Sequence, residues 1–204
     1  MDLFEETGMR GLANKLGLRY CGYPRDEDYR AETGGLPNLP LLTELGERDV
    51  SDLMYGRLNH ANVQVFNASV TPYEPDPRHP RRSVVAVTFA ADFPRLLVEP
   101  HTRMTRLRQS ANWRGLRELP AAFKERFNVD AADKEVAGAV LGTDLCTWLT
   151  HQQLDLRLEL QGGALLGHCP ELDDTNFTEL IDAVIGAHMR FPQAAWADYS
   201  LFKL

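Results

Sequence analysis

The chain has 204 residues, 44% hydrophobic side chains and a formal net charge of −7 at pH 7. A chain of this length and composition can bury one substantial core, so we predict a single domain over residues 1–204. The acidic balance excludes nucleic-acid binding through the general surface. The three cysteines, Cys21, Cys146 and Cys169, are widely spaced and form no C-x-x-C pair, which indicates a reducing compartment.

The N-terminal stretch MDLFEETGMR has neither the basic start nor the long apolar segment of a signal peptide. No run of about 18 apolar residues occurs anywhere in the sequence. We therefore expect a cytoplasmic protein without a membrane span. A peripheral position at the inner membrane is the second location that we consider.

The first part of the chain predicts a helix, a short strand and a loop. Apolar residues between Leu3 and Leu16 recur at helical spacing and stop at Gly17, which suits a helix C-cap. A short strand over residues 19–23 follows. A polar segment, residues 26–33, then leads into the Gly- and Pro-rich residues 34–40, which we interpret as a loop.

From residue 55 the pattern changes to short runs rich in β-branched and aromatic residues, which predict consecutive antiparallel strands. These runs are residues 55–58, 63–70, 83–90 and 96–99. Between the second and third runs, Thr71–Arg82 contains four prolines, which cannot donate to a β-ladder. We therefore predict a protruding loop there.

The second predicted strand contains Asn67-Ala68-Ser69, an acceptor pattern for N-linked sugar, and Asn176-Phe177-Thr178 repeats that pattern. Because no export signal accompanies them, we expect neither site to be glycosylated. We place Val63–Phe66 in the sheet core and expect Asn67 to mark the point where the strand leaves the sheet. Asn176 is expected to form a capping box with Glu179.

The C-terminal half predicts a helix, a hairpin and a final helix. Residues 134–150 carry apolar side chains on one helical face. In residues 154–160 leucine alternates strictly with charge, which predicts a strand with Asp155, Arg157 and Glu159 in water. We expect Gly162-Gly163 to turn this strand into a second one, residues 164–169.

The final predicted helix covers residues 175–190, with an apolar face that runs from Phe177 to His188 and Met189. This order of elements predicts an α+β fold, in which a mainly antiparallel sheet of about six strands carries N-terminal and C-terminal helices.

The sequence offers no recognisable catalytic, metal or nucleotide motif. It has no G-x-S-x-G elbow, no G-x-G-x-x-G and no P-loop. We interpret Cys146 as a small buried hydrophobe, and His168 and Cys169 point to opposite faces of a strand and so do not share a metal ion readily. We therefore expect no enzymatic activity, no metal and no cofactor.

Basic residues concentrate in one segment and in the proline-rich loop. The segment from His101 to Arg117 contains no acidic residue, and its arginines alternate with apolar side chains. Such a surface can bind an acidic protein, a membrane protein or anionic lipid, with a tryptophan as interfacial anchor. The alternative is a solvated face whose arginines pair with the protein's own carboxylates. The candidate binding residues are Arg78, Arg81, Arg82, Arg103, Arg106, Arg108, Trp113, Arg114 and Arg117.

Spaced apolar and glycine positions along most of the chain resemble a group of actinobacterial proteins related to trehalose monomycolate transport factor A of mycobacteria. The similar segments are Gly17–Tyr20, Tyr55–Arg57, Val63–Asn67, Val85–Phe89, Pro94–Pro100, Phe123–Val129 and Trp148-Leu149, followed by the predicted terminal hairpin and helix.

This resemblance implies a non-enzymatic α/β domain, often placed behind an N-terminal membrane anchor, that supports cell-envelope assembly by binding other proteins. Our leading hypothesis is accordingly an interaction or scaffold domain that acts near the inner membrane face. The alternative is a carrier of a small ligand or lipid, with a cavity between the sheet and the helix of residues 175–190.

Overall fold

The computed structural model describes residues 8–23, 27–33, 35, 50–69, 81–101, 119–173, 176–192, 195–196 and 199. These residues contain six helices and six strands, and they confirm the predicted α+β class. The helices are α1 Gly8–Leu16, α2 Glu27–Thr33, α3 Ala121–Arg126, α4 Lys134–Val140, α5 Thr143–His151 and α6 Phe177–Met189. The strands are β1 Arg19–Gly22, β2 Val50–Leu58, β3 Ala61–Ala68, β4 Arg82–Pro100, β5 Phe127–Ala131 and β6 Arg157–Pro170.

The strands form one sheet in the order β1-β2-β3-β4-β5, and β6 pairs with β4. Every pairing is antiparallel. The first half of β4 lies between β3 and β6, whereas its last five residues pair with β5, and three of these, Leu96–Val98, pair with β6 as well. The long pair β4 and β6, which we call the β4–β6 ribbon, therefore connects two parts of the sheet.

A bulge divides this ribbon. Between the pairs Thr88↔Ala164 and Leu96↔Leu160, β4 advances by eight residues (96 − 88) and β6 by four (164 − 160). The alternation of side chains changes across this region in both strands. Odd-numbered residues of β4 face the main core before the bulge, and even-numbered residues do so after it. Both halves of the ribbon therefore contribute to the same core.

The predicted hairpin over residues 154–169 is wrong, because β6 is a single strand. Gly162 has a φ of 55°, but it lies in the bulge instead of a chain-reversing turn. At Gly163 an added Cβ would lie 2.5 Å from the carbonyl oxygen of Phe89 on β4. The two glycines are needed because the ribbon bends and its backbones approach closely there.

The main core lies on the face of the sheet that α1 and α3–α6 cover. Gly167 shows how closely it is packed, since an added Cβ there would overlap Val184 of α6. The same Cβ would lie 3.2 Å from Leu158 and 3.3 Å from Leu156, near the start of the same strand. The beginning and the end of β6 therefore curl toward each other across the main core.

A second, smaller core lies on the opposite face under α2, where we did not predict a helix. Tyr29 of α2 is fully buried and packs edge-on against Tyr55, with ring centroids 5.2 Å apart. Its hydroxyl donates to Gln64 Oε1 at 3.0 Å, and Gln64 Nε2 donates to the Gly35 carbonyl at 3.1 Å. This network satisfies the buried amide and fixes α2 on the sheet.

Other boundaries also differ from the predictions. The runs at residues 83–90 and 96–99 belong to one strand, β4, and the helix predicted for residues 134–150 is broken between α4 and α5 at Leu141-Gly142. An added Cβ on Gly142 would lie 3.2 Å from Pro192, so this break allows close contact with the chain after α6. Neither α3 nor β5 was predicted.

The C-terminal helix is confirmed as α6, but two of its details are wrong. Asn176 makes no side-chain cap, and its backbone N–H instead donates to Asp173 Oδ1 at 2.9 Å, so Asp173 takes the capping role. Met189, which we placed on the apolar face, is 64% exposed. No helix in the described part of the chain has the length and apolar character needed to cross a membrane.

We predict that Gly167→Ala lowers the free energy of unfolding by about 1–3 kcal/mol, because the added methyl overlaps Val184 in a packed core. The matched control is Gly138→Ala on the exposed face of α4, which should raise stability by up to about 1 kcal/mol through helix propensity. Urea unfolding measures both changes. A Gly167→Ala protein as stable as the unmodified chain would contradict the described contact between β6 and α6.

Candidate functional site

Of the nine basic-surface candidates from the sequence, the structure describes two, Arg81 and Arg82 at the start of β4. The other candidates lie outside the described residues, namely Arg78, Arg103, Arg106, Arg108, Trp113, Arg114 and Arg117. The site is therefore built from Arg81, Arg82 and the side chains that surround them at this end of the sheet.

Arg81 is an exposed residue with a carboxylate partner. Its Nη1 lies 3.4 Å from Glu171 Oε1, and the Glu171 backbone N–H donates to the Arg81 carbonyl at 2.9 Å. An exposed ion pair of this kind contributes little to stability. Arg81 thus follows the alternative in which arginines pair with the protein's own carboxylates.

Arg82 differs, because it is half-buried and pairs with an imidazole. Its Nη1 lies 3.5 Å from Nδ1 of His168, which stands on the adjacent strand β6. No carboxylate of the described residues forms an ion pair with Arg82. Since a guanidinium can only donate, His168 must accept at Nδ1 and carry its proton on Nε2.

His168 is held in the neutral form. It is 3% exposed, and burial together with the positive charges of Arg82 and Arg157 lowers its pKa to about 3. Burial, followed by the charge of Arg157, also lowers the pKa of Arg82. Arg82 nevertheless stays protonated, because the guanidinium group has a very high intrinsic pKa.

Charged residues continue along the same face of the sheet to its other part. Arg157 Nη2 donates to Glu99 Oε2 at 2.5 Å, and Asn128 Nδ2 donates to Glu99 Oε1 at 3.3 Å. Arg95 lies 3.7 Å from Glu159, which is 4% exposed. The expectation that Glu159 lies in water is therefore wrong, because the curved ribbon and Arg95 enclose its side chain.

The opposite face at this sheet end carries a row of polar side chains. Ser83 Oγ donates to Asn67 Oδ1 at 3.2 Å and accepts from the Leu172 N–H at 2.9 Å. Asn67 Nδ2 lies 3.5 Å from Asp52 Oδ2, and the Tyr20 hydroxyl donates to Asp52 Oδ1 at 3.3 Å. Asp52 has a φ of 57°, which coincides with a register shift in β2.

This row corrects the interpretation of Asn67. The residue is 8% exposed and pairs with Ser51 on one side and Ser83 on the other, so the strand does not leave the sheet there. Its side-chain amide is enclosed and hydrogen-bonded, which leaves no room for a sugar in the folded chain. The sequence could not reveal this, because β2 begins at Val50, upstream of its predicted start.

The cysteines offer little reactivity. Cys146 and Cys169 are buried, and burial raises the pKa of each thiol to about 12. Both thiols are therefore protonated near neutral pH. Among the described residues, no group of three or more His, Cys, Asp or Glu side chains is arranged to hold a metal ion.

We predict that the chain loses stability on mild acidification partly through His168. Its folded pKa lies below the unfolded value of 6.5, so the unfolded state binds more protons as the pH falls from 6.5 toward about 3. This contribution reaches about 1.4 kcal/mol per pH unit. The variant His168→Gln should flatten the pH dependence of urea unfolding, whereas His151→Gln on the exposed side of α5 should not. Equal slopes for the unmodified chain and His168→Gln would contradict this role.

Comparison with solved structures shows one informative likeness. The crystal structure of the mycobacterial trehalose monomycolate transport factor A, TtfA, has a similar fold, with a TM-score of 0.58 and 13% sequence identity. The match covers 90% of this chain and 94% of that chain. No protein-family model matches the sequence. No curated protein sequence matches it either.

The resemblance expected from the sequence is therefore confirmed, and at this identity it concerns the fold. It extends over nearly the whole of both chains, so it includes the sheet as well as the flanking helices. The chain has the fold of the mycobacterial transport factor TtfA.

Proposed function

We propose that this chain is a non-enzymatic interaction domain that supports cell-envelope assembly at the inner membrane face by binding another protein. The observation that carries the proposal is the fold shared with TtfA over 90% of this chain. That protein is described as a trehalose monomycolate transport factor. Transport of an envelope lipid is thus the process in which this chain would take part.

The proposed contact surface consists of the segment 103–117 and the loop 72–82. Five arginines and Trp113 lie in the segment, and Arg78, Arg81 and Arg82 belong to the loop. A basic surface on a chain with a net charge of −7 favours contact with an acidic partner and selects its orientation. Arg81 pairs with Glu171, so part of its charge is already shared within the chain.

The absence of catalysis in this proposal is supported by the thiols. Cys146 and Cys169, two of the three cysteines, are buried and protonated near neutral pH, which makes them poor nucleophiles. His168 is also a poor general base, because its pKa of about 3 lies far from neutrality.

The alternative function, a carrier with a cavity between the sheet and α6, receives less support. Gly167 on β6 and Val184 on α6 are so close that even a methyl group does not fit between them. Trp148 likewise fills the space against Gly186 of α6 and donates from Nε1 to the Ala183 carbonyl at 3.1 Å. A ligand cavity at these positions would require α6 to move.

We predict that replacing Arg103, Arg106 and Arg108 together by Glu abolishes capture of the protein partner, because the surface charge is reversed. The measurement is affinity purification from the native cell, followed by mass spectrometry. The matched control carries Lys15→Glu, Arg57→Glu and Lys134→Glu, three exposed positions outside the proposed surface. It has the same net charge and should capture the partner normally.

Both variants should show the circular dichroism and urea midpoint of a folded chain before their captures are compared. Undiminished capture by the Arg103, Arg106 and Arg108 variant would contradict the proposed surface. A third outcome is that the unmodified chain captures no protein but binds anionic vesicles, and that the Arg103, Arg106 and Arg108 variant loses this vesicle binding. The binding partner would then be the membrane instead of a protein.

A further inference from the structure

Arg82 is a charged side chain that no carboxylate of the described residues neutralises. It is half-buried at the start of β4, and burial lowers its pKa. Buried or partly buried charges in proteins are normally paired with an opposite charge. Within the described part of the chain, however, the hydrogen-bonding partner of the Arg82 side chain is the neutral imidazole of His168.

His168 orients Arg82 without reducing its charge. The imidazole accepts at Nδ1 from Nη1 of Arg82 at 3.5 Å, and its near-complete burial keeps it neutral at physiological pH. A guanidinium has five N–H donors in a rigid fork, and this contact uses one of them. The fork is thus held in place from one side, and no other acceptor among the described residues takes its remaining donors.

A second guanidinium, that of Arg157 on the same strand as His168, adds positive charge to this region. Arg157 stands between Leu156 and Leu158, which face the main core, so its side chain points to the opposite face, as the side chain of His168 does. The charge of Arg157 acts on both His168 and Arg82. Arg82 contacts the neutral imidazole directly, and the positive charge of Arg157 adds to its field, which favours an anion close to Arg82.

The nearby carboxylates are already engaged. Glu99 accepts from Arg157 at 2.5 Å and from Asn128 at 3.3 Å, so it offsets part of the charge of Arg157. Glu171 pairs with Arg81 at 3.4 Å. Neither forms an ion pair with Arg82. The local excess of positive charge consequently centres on Arg82.

We propose that Arg82, oriented by His168 and assisted by Arg157, binds a phosphate group. The planar guanidinium fork matches two phosphate oxygens, and the tetrahedral anion can accept from a second donor at the same time. A phosphate can carry two negative charges and so compensates a pair of guanidinium groups better than a single carboxylate does. The group can belong to free phosphate or to a lipid headgroup, and the experiment separates these sources.

The inference deepens the proposed function, since Arg82 also belongs to the proposed contact surface. The two ideas can nevertheless fail separately. Loss of partner capture depends on Arg103, Arg106 and Arg108, whereas phosphate binding depends on Arg82. A chain that binds phosphate through Arg82 and captures no partner would retain the inference and contradict the function.

In the first test, the full chain is titrated with inorganic phosphate at low ionic strength. Calorimetry measures the binding, and NMR records the imidazole ¹⁵N signals of His168 during the titration. We expect saturable binding. The His168 signals should shift during the titration but should still show the Nε2–H tautomer. The variant Arg82→Gln should bind at least about tenfold more weakly, because the charge and the fork are lost. The phosphate affinity of Arg82→Lys should lie between those of the unmodified chain and Arg82→Gln, since lysine keeps the charge but lacks the fork.

The matched control is Arg57→Gln. Arg57 is an exposed arginine near the end of β2, and this variant should bind phosphate like the unmodified chain. The His168 signals of the unmodified chain keep the test independent of how well any variant folds. Unchanged His168 signals would overturn the proposal. Equal weakening by Arg82→Gln and Arg57→Gln would overturn it as well, because it would show general attraction of anions.

The second test is sedimentation with vesicles of phosphatidylcholine, with and without an equal share of phosphatidylglycerol. Binding only to the phosphatidylglycerol vesicles, lost in Arg82→Gln and retained in Arg57→Gln, assigns the phosphate to a lipid headgroup. Binding of inorganic phosphate without vesicle binding assigns it to a free phosphate compound. Failure of the unmodified chain in both tests would overturn the proposal.

Discussion

The bulge in the β4–β6 ribbon is the constraint on which the rest of the fold depends. Across it, the side chains that face the main core change from odd to even positions along β4, and those of β6 change between even positions near its start and odd positions near its end. Without that change, one half of the ribbon would direct its apolar side chains away from the helices. Gly163 makes the bend possible, since any side chain there would strike the backbone of β4.

The same ribbon produces the electrostatic character of the candidate site. Pairing of β4 with β6 brings Arg82 to His168, and the charge of Arg157, also on β6, acts on both residues. Burial then keeps His168 neutral, so it can hold a guanidinium in place but cannot compensate it. The contact between Arg82 and His168 thus leaves a fixed positive charge at this end of the sheet, although the buried imidazole lowers stability on acidification. A positive charge held beside a group with a shifted pKa is typical of a binding site.

Fold and role must be separated in the comparison with TtfA. At a sequence identity of 13% the comparison shows a shared fold over most of both chains and leaves the role to be tested. Surface residues need not persist at such a distance. The proposed basic surface and phosphate site accordingly depend on residues of this chain.

The sequence by itself determined the α+β class, the strand character of Val63–Phe66, the helix over Phe177–Met189 and the end of α1 at Gly17, because local periodicity and capping decide these features. It could not distinguish a glycine pair in a turn from a glycine pair in a bulge, since both need the same residue. Only tertiary structure decided that β6 is one strand, that Glu159 and Asn67 are enclosed, and that Arg82 meets His168. These outcomes depend on which segments, distant in sequence, pack against each other, and a local pattern does not contain that information.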